Sequence, residues 1–342
     1  MNRKLGAVII AVAVAVGIYF MTAEKKIEQT ACGKVTIAEM NWASAELMAN
    51  VDKIILEKGY DCEVELVAGA TMTTFTSMNE KGMPDIAPEL WSNAVQGPLS
   101  KAKDEKRLFV ANPGPITGLG EGWWVSPSVV KNHPELKTVL DIIERPDLFP
   151  HPEDSSKGGM MTCPAGWNCQ LSTNNLFRAF NMEEKGWKLI DPGSAAGLDG
   201  TISKAADSGS PWFGYYWNPT SMVGKYGLIS VDFGVKFHSR DNWDNCITLA
   251  EQDCADPKPT AWTKSEVNSI VTANFAKTGG KDALKYVKKR TYPGDVMNSM
   301  LVYMADNQAK GSDAAVEFLK QHEGVWSKWV SSAAKKKIKA GL

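Results

Sequence analysis

Residues 34–67 decide the fold class, and they read KVTIAEMNWASAELMANVDKIILEKGYDCEVELV. Within them, Lys34–Met40 alternates apolar and polar side chains, which is typical of a half-buried strand. Ser44 favours the start of a helix and Gly59 its end, because serine accepts backbone hydrogen bonds at the first position and glycine tolerates the left-handed turn at the last. Glu63–Val67 is then a second strand. This order predicts a parallel pair of strands joined by a right-handed crossover, and therefore an α/β fold.

Two stretches rich in glycine, proline and aromatic residues divide the rest of the chain. Residues 112–127 read NPGPITGLGEGWWVSP, and residues 209–223 read GSPWFGYYWNPTSMV. We expect the chain to cross between two lobes at the first stretch and to return at the second. Lobe 1 then comprises 33–117 and 219–342, and lobe 2 comprises 118–218. Two α/β lobes joined by two crossing segments form a hinged clamp, whose ligand is expected in the cleft.

The C-terminal part of the chain is expected to be mostly helical after one strand at Leu228–Phe233. Thr263 and Glu266 have the spacing of a capping box, which predicts a helix beginning there. Further helical patterns cover Lys281–Lys289, Gly294–Asn307 and Ser312–Lys339.

Composition excludes several classes of protein. The chain has 342 residues, of which 44% are hydrophobic and 23% charged, so it is globular and long enough for two lobes. Its 38 basic and 39 acidic residues give a net charge of -1, which offers no field for a nucleic acid. The 12 tryptophans are an unusual number. Their positions therefore carry the functional argument.

The N-terminal segment 1–23 predicts export. Arg3 and Lys4 precede an uncharged apolar run from Leu5 to Met21. This pattern indicates either a cleaved signal peptide or a retained membrane anchor, because the run is short for a span and the cleavage site is poor. Both alternatives place the body of the protein in the periplasm, in the second case tethered to the inner membrane.

Export makes disulfides the expected state of the six cysteines. Proximity favours three pairs out of 15 possible connectivities. These pairs are Cys32 with Cys62, Cys163 with Cys169, and Cys246 with Cys254. No metal and no cofactor are expected, because the histidines are scattered and the acidic loop 151–159 lacks the alternating ligands of a calcium site.

Four tryptophans stand beside turn residues at the ends of predicted strands or in the crossing segments. They are Trp42 in EMNWASAE, Trp91 in APELWSN, Trp167 in CPAGWNC and Trp217 in GYYWNPT. Each one taken alone is compatible with core packing. Four such rings around one cleft favour a binding site, whereas core packing is expected for Trp187, Trp243, Trp262, Trp326 and Trp329.

Converging indole faces suit a quaternary ammonium group. Such a group donates no hydrogen bond, so a protein attracts it by charge and by aromatic faces, each worth about 0.5–2 kcal/mol. Stacking on a sugar is the alternative use of cleft tryptophans. A sugar site would need more polar side chains beside the rings than this sequence provides.

The residues around three of these tryptophans resemble those of a known family. The segments LWSN at Trp91, AGWNC at Trp167 and YYWNP at Trp217 are similar to the cage motifs of substrate-binding components of bacterial ABC importers for glycine betaine and related solutes. Cys163 and Cys169 fall where that family has a local disulfide. The resemblance covers the mature length and implies a two-lobe, type II-like periplasmic binding protein. It also implies a membrane permease as partner, and we expect a monomer.

The resemblance assigns roles to particular residues. Trp91, Trp167 and Trp217 would enclose the methyl groups. Trp42, which the family pattern lacks, would add a fourth wall. The backbone N–H groups of Asn168 and Cys169, at a helix start, would hold an anionic end of the ligand. Asn168 has the alternative role of a simple helix cap.

Two residues depart from the pattern of glycine betaine binders. Trp42 stands where those proteins have small polar residues. Glu121 resembles the glutamate of trimethylamine N-oxide binders and would tune the choice of ligand, with a solvated loop position as its alternative. We therefore expect a binder of glycine betaine or a related methylated ammonium compound, with trimethylamine N-oxide or choline as alternatives. An exported enzyme acting on a small cationic metabolite is the rival class, although no nucleophile motif supports it.

Overall fold

The computed structural model describes residues 32–342, so the predicted signal or anchor segment 1–23 lies outside the described residues. In this range the strands are β1 Lys34–Met40, β2 Glu63–Gly69, β3 Ile86–Trp91, β4 Leu108–Asn112, β5 Gly120–Val125, β6 Pro150–His151, β7 Asp154–Met161, β8 Trp187–Ile190, β9 Phe213–Asn218, β10 Ile229–Ser230 and β11 Val267–Thr272. They form two sheets, which confirms the predicted mixed α/β class.

Helices surround the sheets. In chain order they are α1 Ala43–Tyr60, α2 Thr71–Lys81, α3 Gln96–Asp104, α4 Pro127–Asn132, α5 Val139–Ile142, α6 Asn168–Ala179, α7 Ala195–Ser208, α8 Ser221–Tyr226, α9 Arg240–Asn242, α10 Ala273–Thr278, α11 Lys281–Lys289, α12 Gly294–Asn307, α13 Gly311–Gln321, α14 Glu323–Trp326 and α15 Ser332–Gly341. Among residues 32–342, none of these helices has the length and apolar character needed to cross a membrane.

The first sheet has the strand order β2-β1-β3-β11-β4. Strand β1 lies parallel to β2 and to β3, with Lys34 opposite Glu63. The predicted strand, helix and strand are therefore confirmed. The carboxyl ends of β1 and β3 meet at one edge of this sheet, which is the usual position of a ligand in an open parallel sheet.

Gly59 does not end helix α1 as its sequence context indicates. The helix continues to Tyr60 and ends at Asp61, whose φ is 57°. A Cβ atom at Gly59 would lie 3.2 Å from Cδ1 of Ile338 in helix α15. The glycine therefore serves close packing of two helices, which no local signal reveals.

The second sheet has the order β10-β5-β9-β7-β6, with β8 paired to β7. Strands β5 and β9 run antiparallel, and Glu121 lies opposite Trp217. Strand β10 pairs with β5, so this sheet extends beyond residue 218, the limit expected for lobe 2. The lobe limits 33–117 with 219–342 and 118–218 stay a prediction.

The prediction of a helix that begins at Thr263 and Glu266 is wrong. Residues 267–272, VNSIVT, form β11, which lies antiparallel between β3 and β4 in the interior of the first sheet. The β-branched residues Val267, Ile270 and Val271 are buried on this strand. Packing between two neighbouring strands therefore overrides a local helix-start signal.

Three disulfides confirm the pairing expected from proximity. The Cα atoms are 5.0 Å apart in Cys32–Cys62, 5.7 Å in Cys163–Cys169 and 4.4 Å in Cys246–Cys254. The first bond joins the residues that precede β1 and β2. The second closes the turn that leads into α6, beside the cavity described next.

Candidate functional site

One cavity contains all the candidate ligand-binding residues that the sequence identifies. It encloses about 330 Å³ of space that no protein atom occupies, part of which is open to solvent. The lining residues come from both sheets and their helices, and they are Trp42, Thr71, Trp91, Ala94, Glu121, Trp167, Asn168, Cys169, Tyr215 and Trp217.

Thr71, Ala94 and Tyr215 also line the cavity, although they were not predicted from the sequence. Tyr215 had a usable signal, because it stands two positions before Trp217 on β9 and side chains two apart on a strand share a face. The two rings stack with an interplanar angle of 25° and centroids 6.2 Å apart. Thr71 begins α2 and Ala94 follows β3, so only the tertiary structure brings them to the cavity.

The tryptophans form a continuous aromatic wall. The ring centroids of Trp42 and Trp167 lie 5.5 Å apart at 76°. Those of Trp167 and Trp217 lie 5.1 Å apart at 84°. Edge-to-face contacts of this kind leave ring faces available to a ligand. Rings from the first sheet and from the second therefore meet directly.

One carboxyl group, that of Glu89, orients two of the rings. Trp42 follows β1 and Trp91 ends β3, so both stand at the carboxyl edge of the first sheet. The indole Nε1 of Trp42 donates to Glu89 Oε1 at 2.8 Å, and that of Trp91 donates to the same oxygen at 3.0 Å. Glu89 is not among the site residues predicted from the sequence.

Trp167 is held from the opposite sheet. Its indole Nε1 donates a 2.8 Å hydrogen bond to Oδ1 of Asn41, the residue after β1. Gly166, immediately before it, has a φ of 86°, which glycine adopts without strain. The turn CPAGWNC therefore needs its glycine in order to direct the tryptophan into the cavity.

Glu121 lines the cavity from strand β5, so the alternative of a solvated loop residue is wrong. Its Oε2 accepts a 2.8 Å hydrogen bond from Asn93 Nδ2, and its Oε1 accepts one of 2.9 Å from the hydroxyl of Tyr215. Removal of the carboxyl from bulk water raises the pKa of Glu121 above its ordinary value, whereas these two hydrogen bonds lower it.

Helix α6 directs its N-terminus at the cavity. Trp167 occupies the cap position, where no side chain within residues 32–342 accepts a capping hydrogen bond from the helix. The side chain of Asn168 instead donates to the carbonyl oxygen of Thr248 at 3.0 Å, so its alternative role as a helix cap is wrong. The backbone N–H groups of Asn168 and Cys169 lie in the first turn, where helical N–H groups lack intrahelical acceptors.

Comparison with known families decides the identity of the chain. The profile described as the substrate binding domain of ABC-type glycine betaine transport system matches residues 33–321. The chain belongs to this family. The family comprises solute-binding proteins and not enzymes, and such proteins act outside the cytoplasm with a membrane permease. The resemblance drawn from the tryptophan motifs is confirmed.

Solved structures show the same fold for this binding protein. An ABC-transporter choline binding protein in complex with choline has a TM-score of 0.69 at 16% identity, covering 91% of this chain and 98% of the other. A glycine betaine and L-proline binding protein from Borrelia burgdorferi also scores 0.69 at 16% identity, covering 89% and 99%. A lactococcal protein in its closed conformation with glycine betaine scores 0.64 at 17% identity, covering 87% and 100%. A comparison with curated protein sequences gives no significant match.

The cavity of this binding protein therefore combines three kinds of group. They are the aromatic faces of the tryptophans, the carboxyl group of Glu121 and the backbone N–H groups at the start of α6. In the described part of the chain, no group of three or more His, Cys, Asp or Glu side chains is placed to hold a metal ion.

Proposed function

We propose that this binding protein captures a small trimethylammonium solute, with glycine betaine as the first candidate, and delivers it to an ABC permease. The observation that carries the proposal is the meeting of four indole rings, Trp42, Trp91, Trp167 and Trp217, around one small cavity. A trimethylammonium group is too large to be hydrated well and donates no hydrogen bond. Aromatic faces are the protein groups that bind such a cation by electrostatic attraction.

The polar groups supply the second half of the recognition. Glycine betaine carries a carboxylate at the end opposite its methyl groups. The N-terminus of α6 attracts an anion through its free N–H groups and its dipole. We therefore assign the rings to the cationic end and the N–H groups of Asn168 and Cys169 to the carboxylate. The Cys163–Cys169 disulfide keeps this turn in place.

Glu121 supports a second candidate ligand. Its carboxyl group lines the same cavity as the rings, and a carboxylate there attracts a cation but repels the carboxylate of a zwitterion. Choline has a hydroxyl group in place of that carboxylate, and trimethylamine N-oxide has an oxygen that a protonated Glu121 would bind. These two solutes are therefore the alternatives to glycine betaine.

We propose further that the protein acts as a monomer in the periplasm and releases its ligand unchanged. The three disulfides support an oxidising compartment. Segment 1–23 is then either removed on export or retained as a tether to the inner membrane.

Titration calorimetry and thermal melting with five solutes test the proposal. The solutes are glycine betaine, proline betaine, choline, trimethylamine N-oxide and dimethylsulfoniopropionate, with glycine as the matched control that lacks the methyl groups. A solute present at 100 times its Kd stabilises the fold by about 2.7 kcal/mol, which melting detects easily. We expect at least one methylated solute to bind with constant heat and to be recovered unchanged, and glycine not to bind. The proposal fails if all six give no heat, or if the solute is consumed.

A further inference from the structure

Glu89 lies beneath the aromatic cage and is inaccessible to solvent. Three donors converge on its Oε1, namely the indole Nε1 of Trp42 at 2.8 Å, the indole Nε1 of Trp91 at 3.0 Å and the hydroxyl of Ser44 at 2.9 Å. Its other oxygen, Oε2, is buried and accepts no hydrogen bond from any residue in 32–342. A buried carboxyl group in an apolar core is costly unless its oxygens are hydrogen-bonded or paired with a charge, and Oε2 has no such partner in the described residues.

The position of Glu89 explains how one atom reaches two rings. Glu89 and Trp91 are two residues apart on β3 and therefore share a face of the sheet. Trp42 follows β1, the parallel neighbour of β3, so its indole approaches the same point from the adjacent strand. A single oxygen atom therefore sets the orientation of two cage rings relative to each other.

We propose that Glu89 is a positioning residue of the cage, whose carboxylate orients Trp42 and Trp91 and places a negative charge behind them, so that affinity for a cationic ligand increases when Glu89 is ionised. The proposal rests on the proposed function for the identity of the ligand. A negative hydrogen-bond acceptor also polarises an indole ring and makes its face more attractive to a cation.

The charged residues on the elements around Glu89 mostly have partners of their own. Strand β11 carries no charged residue, and β1 carries Lys34, which pairs with Glu65, and Glu39, which accepts a hydrogen bond from Asn50. Helix α1 directs Asp52 at Arg290, and α2 carries Glu80 and Lys81 in its last turn. Other charged residues of α1 are Glu46, bonded to the backbone of Gly311, the pair Lys53 and Glu57, and Lys58 in the last turn.

Arg290 is the charged residue whose electrostatic attraction acts on the pKa of Glu89. Burial raises the pKa of Glu89 to about 7, while the hydrogen bonds from Trp42, Trp91 and Ser44 and the attraction of Arg290 lower it. The carboxyl group therefore changes its charge near neutral pH. A ligand cation in the cage favours the ionised form, so binding releases a proton and affinity rises as the pH increases through about 7.

Two substitutions separate orientation from charge. Glu89→Gln keeps a carbonyl oxygen that accepts from both indoles but removes the charge. Glu89→Met removes both the acceptor and the charge at similar volume. Asp85→Asn is the matched control, because Asp85 is buried just before β3 and its side chain accepts hydrogen bonds from the backbone N–H and the hydroxyl of Thr36, which is not a cage residue.

The first measurement is the Kd of choline and of glycine betaine between pH 5.5 and 8.5, since neither ligand titrates in that range. For the wild type we expect about a tenfold gain in affinity across the range, the effect of one pKa unit of coupling. We expect Glu89→Gln to bind more weakly and without this gain, and Asp85→Asn to follow the wild type. The same series in Glu121→Gln shows whether the pH effect persists without the carboxyl group of Glu121, as we expect.

The second measurement needs no ligand. Near-ultraviolet circular dichroism reports the orientation of buried indoles. We expect the wild-type spectrum to change with a midpoint near pH 7, the Glu89→Gln spectrum to stay constant, and the Glu89→Met spectrum to lose intensity that Asp85→Asn keeps. If Glu89→Met keeps the wild-type spectrum, the orienting role is refuted, and if Glu89→Gln keeps the wild-type pH profile of affinity, the role of the charge is refuted. If no solute binds but the spectra behave as expected, the proposed function fails while the orienting role stands.

Discussion

Asn41 and Trp167 lie 126 positions apart in the chain, yet the indole Nε1 of Trp167 donates a 2.8 Å hydrogen bond to Asn41 Oδ1. Asn41 follows the first strand of the first sheet, and Trp167 precedes the helix that begins beside the second sheet. The two halves of the cavity are therefore joined by a polar contact as well as by the edge-to-face contact of Trp42 with Trp167. Ligand binding and the approach of the two halves are expected to depend on each other.

Replacement of Asn41 tests that dependence. We expect Asn41→Ala to weaken ligand binding roughly 2- to 12-fold, because a net hydrogen bond contributes about 0.5–1.5 kcal/mol. The loss should appear mainly in the dissociation rate, measured by stopped-flow tryptophan fluorescence. Asn307→Ala is the control, since the amide of Asn307 is exposed and donates to the carbonyl of Tyr303 in its own helix. An unchanged dissociation rate in Asn41→Ala would contradict the expected coupling.

The cage rings and the core rings should respond differently to the loss of an indole. We expect Trp217→Leu to reduce affinity by roughly 5- to 30-fold, in line with about 1–2 kcal/mol for a desolvated aromatic face, and Trp217→Phe to reduce it less. Trp187→Leu is the matched control, because Trp187 is buried in the second sheet and its Nε1 donates to the carbonyl of Ile143, away from the cavity. Calorimetry on the folded fraction measures both effects. Equal losses of affinity in Trp217→Leu and Trp187→Leu would show that the loss reflects stability and not the cage.

Glu121 should govern the choice between ligands. We expect Glu121→Gln to weaken choline binding roughly tenfold and to leave glycine betaine binding unchanged or improved, because the lost charge attracts a cation and repels a carboxylate. Burial raises the pKa of Glu121, so the charged form is lost as the pH falls through a value above the ordinary one. In the wild type, the affinity ratio of choline to glycine betaine should therefore rise with pH.

Competition calorimetry at two pH values checks this ranking. The comparison uses a ratio of two ligands, so a general loss of binding competence cancels. A ratio that is the same in Glu121→Gln and in the wild type at every pH would assign ligand choice to other residues.

Removal of two of the disulfides should affect different properties, the free energy of unfolding in one case and the ligand affinity in the other. Cys32–Cys62 joins positions 30 apart, and its removal by double serine substitution should cost about 3–4 kcal/mol of unfolding free energy with little effect on affinity. Cys163–Cys169 joins positions 6 apart, so its removal should cost less, about 2 kcal/mol, but should weaken ligand binding because Cys169 lines the cavity. Urea unfolding and calorimetry on both variants measure the two quantities. The opposite ranking of affinity losses would contradict the role of the α6 turn in the site.

Local signals were sufficient for much of this protein. The alternation in Lys34–Met40 and the spacing of apolar residues after Ser44 are properties of short segments, so they predicted β1, α1 and β2. The tryptophans at 42, 91, 167 and 217 stand beside turn residues, which predicted their place in a cleft, and proximity in sequence predicted the disulfides.

Only the tertiary structure decided the features that depend on distant partners. Residues 267–272 form a strand because β3 and β4 lie on either side of them, although a capping box precedes them. In the sequence, Glu89 is one acidic residue among others. Only the fold brings the indole of Trp42, 47 positions away, to the oxygen atom of Glu89 that also accepts from Trp91. The physical reason is that a turn or a short helix depends on residues that are close in the sequence. A long-range hydrogen bond or a strand pairing depends on a partner whose position is determined by other parts of the chain.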